Sequence, residues 1–180
     1  ALATLGLDYP KRAKFFLGEL ESLFLLAKEE NLSVPDLKGS YAGAMGFGQF
    51  IPSSYRAYAV DFDGDGVRDI WANKTDAIGS VANYFAEHDW RGTEGVVERV
   101  TLGDETSELR ALINSGLKPT VTVAEWRNMG VQVGPEQDDS RLATLMRMEQ
   151  KSGNEYWLGY DDFYVITRYN HSRLYAMAVY

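Results

Sequence analysis

The chain has 180 residues, of which 45% are apolar and 13% aromatic, enough to bury a core in one domain or in one domain plus a small subdomain. A formal charge of −8 leaves no broad basic face to neutralise phosphates, so the composition disfavours nucleic acid and anionic membrane surfaces as partners. The absence of cysteine excludes disulfides, thiolate nucleophiles and zinc-thiolate centres and leaves the redox compartment open. No apolar run approaches the roughly 18 residues of a transmembrane segment.

Ala1-Leu2-Ala3-Thr4-Leu5 is apolar and helix-forming from its first residue, so the chain is expected to be a processed product or a fragment that starts inside a domain. Asp8 and Pro10 then make a helix start, a capping side chain followed by a residue of preset φ. Ala13, Phe16, Leu17, Leu20, Leu23, Phe24 and Ala27 recur at helical spacing and predict one buried face of a long helix ending near Asn31. The run from Gly39 to Phe50 is rich in small residues and predicts close backbone approach to another group; Pro52 opens a short helix. Asp76 is expected to cap a helix whose apolar face is Ile78, Val81, Ala82 and Phe85, ending near His88.

From Gly92 onward the texture changes. Val96 to Leu102, Leu142 to Met148 and Phe163 to Ile166 read as strands. Between the first two lie short helical units at Ser107 to Asn114 and Thr122 to Met129, each followed by glycine, an apolar residue and then proline, a weak internal duplication. Thr122 and Glu125 have capping-box spacing. The expected organisation is residues 1–90 as a helical core carrying a metal loop at 61–76, residues 91–166 as a small mixed α/β subdomain, and residues 167–180 as a C-terminal helix returning to the core.

The stretch DFDGDGVRDIW, Asp61 to Trp71, resembles the start of an EF-hand loop. Calcium takes about six to eight oxygens, and that loop supplies carboxylates at its first, third and fifth positions, a turn glycine at the sixth and a carbonyl at the seventh. Asp61, Asp63, Asp65, Gly66 and Val67 fill those slots, and Asp69 the ninth. The closing position holds Ala72 in place of a glutamate, and Asp76, a little further on, is the nearest carboxylate able to complete the cage. Alternating carboxylates repel unless a cation neutralises them, which argues against a merely solvated turn. A calcium sensor would carry paired loops, so one loop predicts a structural calcium clamp.

Four separated motifs, Gly39-Ser40-Tyr41-Ala42-Gly43-Ala44-Met45-Gly46, Gln49-Phe50-Ile51-Pro52-Ser53-Ser54-Tyr55, the acidic loop with Asp76 to Phe85, and Arg168-Tyr169-Asn170-His171-Ser172 with Tyr175 to Val179, together resemble the membrane-bound lytic murein transglycosylase B family of bacterial cell-wall enzymes. The resemblance implies an α+β, mainly α fold: a goose-type-lysozyme-like helical core, a small β-containing subdomain and one EF-hand-like loop. It also implies periplasmic, non-hydrolytic cleavage of the bond between N-acetylmuramic acid and N-acetylglucosamine. In the family a glutamic acid protonates the glycosidic oxygen and then takes the proton of the muramoyl C6 hydroxyl, closing a 1,6-anhydro ring. Such an acid needs an apolar pocket.

The family carries that glutamate in a Glu-Ser/Thr-x-x-Gly motif. No copy of it occurs here, so the catalytic residue is expected to lie upstream of this chain, as is any lipidated outer-membrane anchor. Glu19 and Glu21 are expected to be solvated helix residues, and His88 and His171 have plain structural explanations. Carried over residue by residue, Ser40 and Gln49 would lie beside the catalytic acid, Tyr84, Tyr169, Asn170 and Tyr175 would line a glycan cleft, and Arg12 would sit near peptide or glycan contacts. Calcium, held by Asp61, Asp63, Asp65, the Val67 carbonyl and Asp76, is the implied cofactor. Peptidoglycan glycan strands and the chain's own upstream segment are the implied partners. The alternative reading is a calcium-stabilised peptidoglycan-binding module without catalysis.

Overall fold

A computed structural model describes residues 1–92 and 95–180; Thr93 and Glu94 of the expected subdomain lie outside the described residues. Helices dominate an α+β fold that divides into two compact units, Ala1–Glu87 and His88–Tyr180.

The first unit is helical. α1 (Leu2–Asp8) is followed by a short 3-10 turn at Pro10–Arg12 and by α2 (Ala13–Glu29). Asp8 therefore ends α1 instead of capping α2, and Pro10 starts the turn that leads into it. Asn31, at φ 53°, stops α2, with the Leu32 amide donating to the Ala27 carbonyl at 2.8 Å in a Schellman closure. The buried residues of α2 are Phe16, Glu19, Leu26 and Ala27, whereas Leu17 and Phe24 of the expected face are exposed. α3 (Pro52–Tyr58) and α4 (Lys74–Ala86) complete the unit. α4 is capped by Asn73, whose side chain accepts from the Thr75 and Asp76 amides. Its buried face is Asp76, Ala77, Gly79, Ser80 and Tyr84; of the expected apolar face, Ile78 is 70% exposed and Ala82 exposed, while Val81 and Phe85 are only half-buried. The reason lies in Gly79, where an added Cβ would stand 2.5 Å from the Phe62 ring: the loop packs on the small-residue side of α4.

The second unit is built on an antiparallel sheet of order β2-β4-β5-β1-β3 among the described residues. The strands are β1 (Val97–Leu102), β2 (Val121–Thr122), β3 (Val131–Gln132), β4 (Leu142–Gln150) and β5 (Gly153–Gly159). β4 and β5 form a hairpin in register from Thr144↔Gly159 to Gln150↔Gly153. α5 (Ser107–Leu112) and α6 (Val123–Asn128) are capped by Thr106 and Thr122, the latter in a full capping box with Glu125. Both bury side chains, Leu109 from α5 and Val123 and Trp126 from α6, in one cluster with Val100, Val131, Ala143, Leu145, Leu158 and Tyr160. Gly130, at φ 87°, takes the left-handed turn after α6; after α5 that role falls to Asn114, at φ 59°, and not to Gly116.

Phe163 to Ile166, expected as a strand, is part of α7 (Asp161–Tyr169). Two aspartates in its first turn favour the helix dipole, and Asp162 is buried with its oxygens accepting from the Arg91 amide at 2.9 Å and the Gly92 amide at 2.7 Å. α8 (Arg173–Val179), capped by Ser172, ends the unit. Residue 166 thus lies within a helix, and residues 167–180 group with the second unit.

Candidate functional site

The acidic loop brings four carboxylates together: ligand oxygens of Asp61, Asp63, Asp65 and Asp76 all lie within 4.8 Å of one another. Asp69 is not one of them; its Oδ1 accepts from the Trp71 and Ala72 amides at 2.8 and 2.9 Å. Asp61 shapes the turn, taking the Gly64 amide at 2.7 Å on Oδ1 and the Gly66 amide at 2.7 Å on Oδ2. Gly64 and Gly66, at φ 77° and 92°, let the chain fold around the cluster. Asp76 is fully buried, its two oxygens accepting from the amides of Phe62 and Asp69, each at 2.9 Å.

The donor set is all hard oxygen, the type a calcium or magnesium ion takes. Each pair of like charges near 4 Å repels by about 1 kcal/mol in water and more where solvent is excluded. A cation therefore fits the residues present, with Asp76 in the closing position where Ala72 offers nothing.

The loop is tied to its surroundings on the other side. Arg68 pairs with Glu30 at the end of α2, and its carbonyl accepts the Tyr55 hydroxyl at 2.7 Å. Burial holds that phenol well above its ordinary pKa, and the Glu30 charge pushes in the same direction.

Ser40 and Gln49 sit on the turn-rich segment from Gly39 to Phe50, which closes on itself through bridges Gly39↔Met45 and Met45↔Phe50. The Ser40 hydroxyl accepts from the Ala42 and Ala44 amides at 3.3 and 3.1 Å, so it helps to build the turn. Gln49 is exposed, with left-handed backbone at φ 51°; its amide nitrogen donates to the Gly46 carbonyl at 2.9 Å. Gly43 and Gly46 accommodate the chain's own atoms. A Cβ on Gly43 would meet Leu2 at 2.6 Å, and one on Gly46 would meet the Ile70 carbonyl oxygen at 2.5 Å.

A cavity of about 570 Å³ opens beside Ser40, walled by Leu2, Leu20, Leu23, Leu37 and Met45 and containing no carboxylate among its lining residues. Lys38 and Ser40 add polar groups to this otherwise apolar lining.

The other expected contacts are distributed between the two units. In the first, Tyr84 is 8% exposed in an aromatic group with Phe50, Tyr58 and Phe85, and the Arg12 guanidinium lies 4.3 Å from the Phe15 ring centre. In the second, Tyr169 ends α7 and Asn170 is exposed, its carbonyl receiving the Ser172 amide at 2.6 Å; Tyr175 is 37% exposed on α8.

One residue carries more than the sequence indicated. Glu19 is buried, and it accepts from the Ser53 amide at 3.0 Å and from the Ser53 hydroxyl at 2.7 Å, supplying the first turn of α3 with the cap its own N-terminus lacks. Only its spacing from the other buried positions of α2 could have signalled this.

A family model described as a transglycosylase SLT domain matches residues 1–180. This chain belongs to that family. It is 45% identical over 179 residues to the membrane-bound lytic murein transglycosylase B of Escherichia coli, covering 99% of this chain and 48% of that protein. Among solved structures, the catenated lytic transglycosylase SltB1 of Pseudomonas aeruginosa is 51% identical with a TM-score of 0.94, over 99% of this chain and 58% of that one. Escherichia coli Slt35 in complex with calcium is 44% identical with a TM-score of 0.84, over 99% of this chain and 55% of that one. The chain thus spans about half the length of the relatives it matches, and it shares their fold.

Proposed function

We propose that this chain acts in a lytic transglycosylase that cuts peptidoglycan glycan strands between N-acetylmuramic acid and N-acetylglucosamine without water, leaving 1,6-anhydro ends. The observation that carries the reading is the family match over every residue from 1 to 180. Further support comes from a P. aeruginosa relative, SltB3, solved with NAG-anhNAM-pentapeptide and 34% identical to this chain. We assign the acid to none of the 180 residues, because no glutamate here stands in a Glu-Ser/Thr-x-x-Gly motif. The assigned contacts are Arg12, Ser40, Gln49 and Tyr84 in the first unit and Tyr169, Asn170 and Tyr175 in the second. Gln49, exposed and rigidly turned, is the best placed of them to meet a sugar N-acetyl or hydroxyl group.

The proposal includes an EF-hand-like calcium site of Asp61, Asp63, Asp65, Asp76 and the Val67 carbonyl, supported by the converging carboxylates and by the calcium in Slt35. The ion would supply positive charge that holds the loop closed. A periplasmic location follows from the substrate. Among the described residues no helix is long and apolar enough to cross a membrane.

The test is to incubate the intact protein with purified peptidoglycan and weigh the products. Fragments one water lighter than their hydrolytic counterparts are expected. Hydrolytic products would refute the reaction, and retention on peptidoglycan without any product would favour the non-catalytic binding module.

A further inference from the structure

Within the second unit, a cavity of about 510 Å³ lies between β4 and the turn joining α7 to α8. Arg147, His171 and Arg173 line it together with an apolar wall of Leu117, Met148 and Leu174. Its single lining carboxylate, Glu149, is 80% exposed and 3.6 Å from Arg147. In a chain of net charge −8, this is a cationic hollow with a greasy side.

The Arg173 guanidinium is held in place but largely unspent. One Nη donates to the Asn114 carbonyl at 3.1 Å, and Nε is buried without a hydrogen-bond partner. Leaving a buried cationic donor unsatisfied costs on the order of 1–3 kcal/mol or more, so the guanidinium keeps donor capacity that the chain itself does not use. Asn114 is a rigid anchor for it: its backbone is left-handed, its amide donates to the Leu145 carbonyl at 2.9 Å, and its side-chain oxygen takes the Arg147 amide at 3.1 Å. The same residue therefore fixes the strand carrying Arg147 and the side chain of Arg173. A guanidinium fork matches a carboxylate in two parallel hydrogen bonds. The apolar wall selects a carboxylate attached to a small apolar body over a bare inorganic anion. His171 directly follows Asn170, and consecutive Cα atoms are about 3.8 Å apart, so the hollow starts within one residue of a proposed glycan contact.

We infer that this cavity is a subsite for the terminal carboxylate of the short peptide carried by a peptidoglycan strand, with Leu117, Met148 and Leu174 receiving the methyl group of its last residue. The inference rests on the peptidoglycan reading above.

The test titrates the intact protein with N-acetyl-D-Ala-D-Ala, with the same dipeptide as its C-terminal amide, and with acetate. The acid is expected to bind at least about tenfold more tightly than the amide or acetate, a difference of about 1.4 kcal/mol. Arg173→Gln should abolish the preference. Because that variant also loses a structural bond, Arg147→Gln, whose side chain is 41% exposed, is the companion that keeps the fold; it should weaken the acid by about three- to tenfold with an unchanged melting temperature. Equal affinity for acid and amide, acetate binding as tightly as the dipeptide, or folded variants that bind like the parent would each overturn the subsite. Glycan strands stripped of peptide separate this inference from the function: cleavage of them with no acid-selective binding removes the subsite alone, whereas acid-selective binding without cleavage of any strand keeps the subsite and removes the transglycosylase.

Discussion

Asp76 performs two tasks in the structure, and one pair of variants separates them. As a buried acceptor it satisfies the amides of Phe62 and Asp69, and as a carboxylate it closes the acidic cluster. Hydrogen bonds to a charged group contribute about 1.5–3 kcal/mol each. In Asp76→Asn one oxygen survives and the other becomes an NH₂ facing an N–H donor, so about 2–3 kcal/mol should be lost even in a chelator. For a chain of this length about 1 kcal/mol moves the melting temperature by roughly 2–4 °C, which gives a fall of about 4–12 °C. The parent should gain about 2.7 kcal/mol, or roughly 5–11 °C, when free calcium reaches about one hundred times its dissociation constant. Asp63→Asn is the contrast: Asp63 is exposed, the Asn73 side-chain amide at 2.8 Å can still donate to an asparagine oxygen, and the exposed Asp65 amide, 3.3 Å from the other oxygen, can turn to water. It should melt like the parent in chelator and lose much of the calcium gain. Thermal unfolding followed by circular dichroism, with chelator and with calcium, reads all three proteins. A parent whose melting temperature ignores calcium would refute the clamp, and an Asp76→Asn protein as stable as the parent in chelator would refute the buried-acceptor argument.

Glu19→Ala should destabilise the chain by about 2–4 kcal/mol, because the Ser53 amide and hydroxyl both lose their acceptor and α3 its cap; denaturant unfolding measures it, and a loss within error of a surface substitution would contradict the capping role. Gln49→Ala should leave the melting temperature near that of the parent and lower kcat/KM on peptidoglycan by about tenfold to a hundredfold, about 1.4–2.7 kcal/mol of lost contact. Thr122→Ala should cost about 1 kcal/mol through the capping box of α6. The Thr122 hydroxyl and amide hold the Glu125 carboxyl below its ordinary value of 4.5, so its contribution is present above that value and fades as pH falls through the lowered pKa; an acid-unfolding profile unchanged by Glu125→Ala would refute it.

The sequence made the acidic loop, the capping box and the family motifs legible because each is local: its residues specify their own geometry over a dozen positions or fewer. Asp76 could be proposed as the closing ligand on the same ground, and it does join the cluster. The buried face of α2 was not legible. Apolar residues such as Phe15, Phe16, Leu17, Leu20, Leu23, Phe24 and Leu25 populate much of its circumference, so periodicity alone could not select the side that meets the core. The choice is made by a partner 34 residues away, where Ser53 donates to Glu19. Phe163 to Ile166 misled in the same manner: four strand-favouring residues are overruled by Asp161 and Asp162, the latter anchored to backbone some 70 residues earlier in the chain.

The loop and the residue proposed to touch sugar are mechanically joined, and that joint is open to test. The Ile70 carbonyl, inside the loop segment, accepts the Phe47 amide at 2.9 Å and presses against Gly46, whose φ is 65°. Gly46 in turn accepts the Gln49 backbone amide at 3.2 Å and its side-chain amide at 2.9 Å. A cation that fixes residues 61–76 thus fixes Ile70, the 46–49 turn and finally the direction of Gln49. On this reasoning calcium removal acts on turnover chiefly through Gln49, and the two perturbations are not additive. Chelation should lower the rate of anhydro-product release in the parent but add less than about threefold, or about 0.6 kcal/mol, in Gln49→Ala. Equal fold-losses in both proteins, measured below their melting temperatures, would mean that the loop acts on the reaction by some route other than this turn.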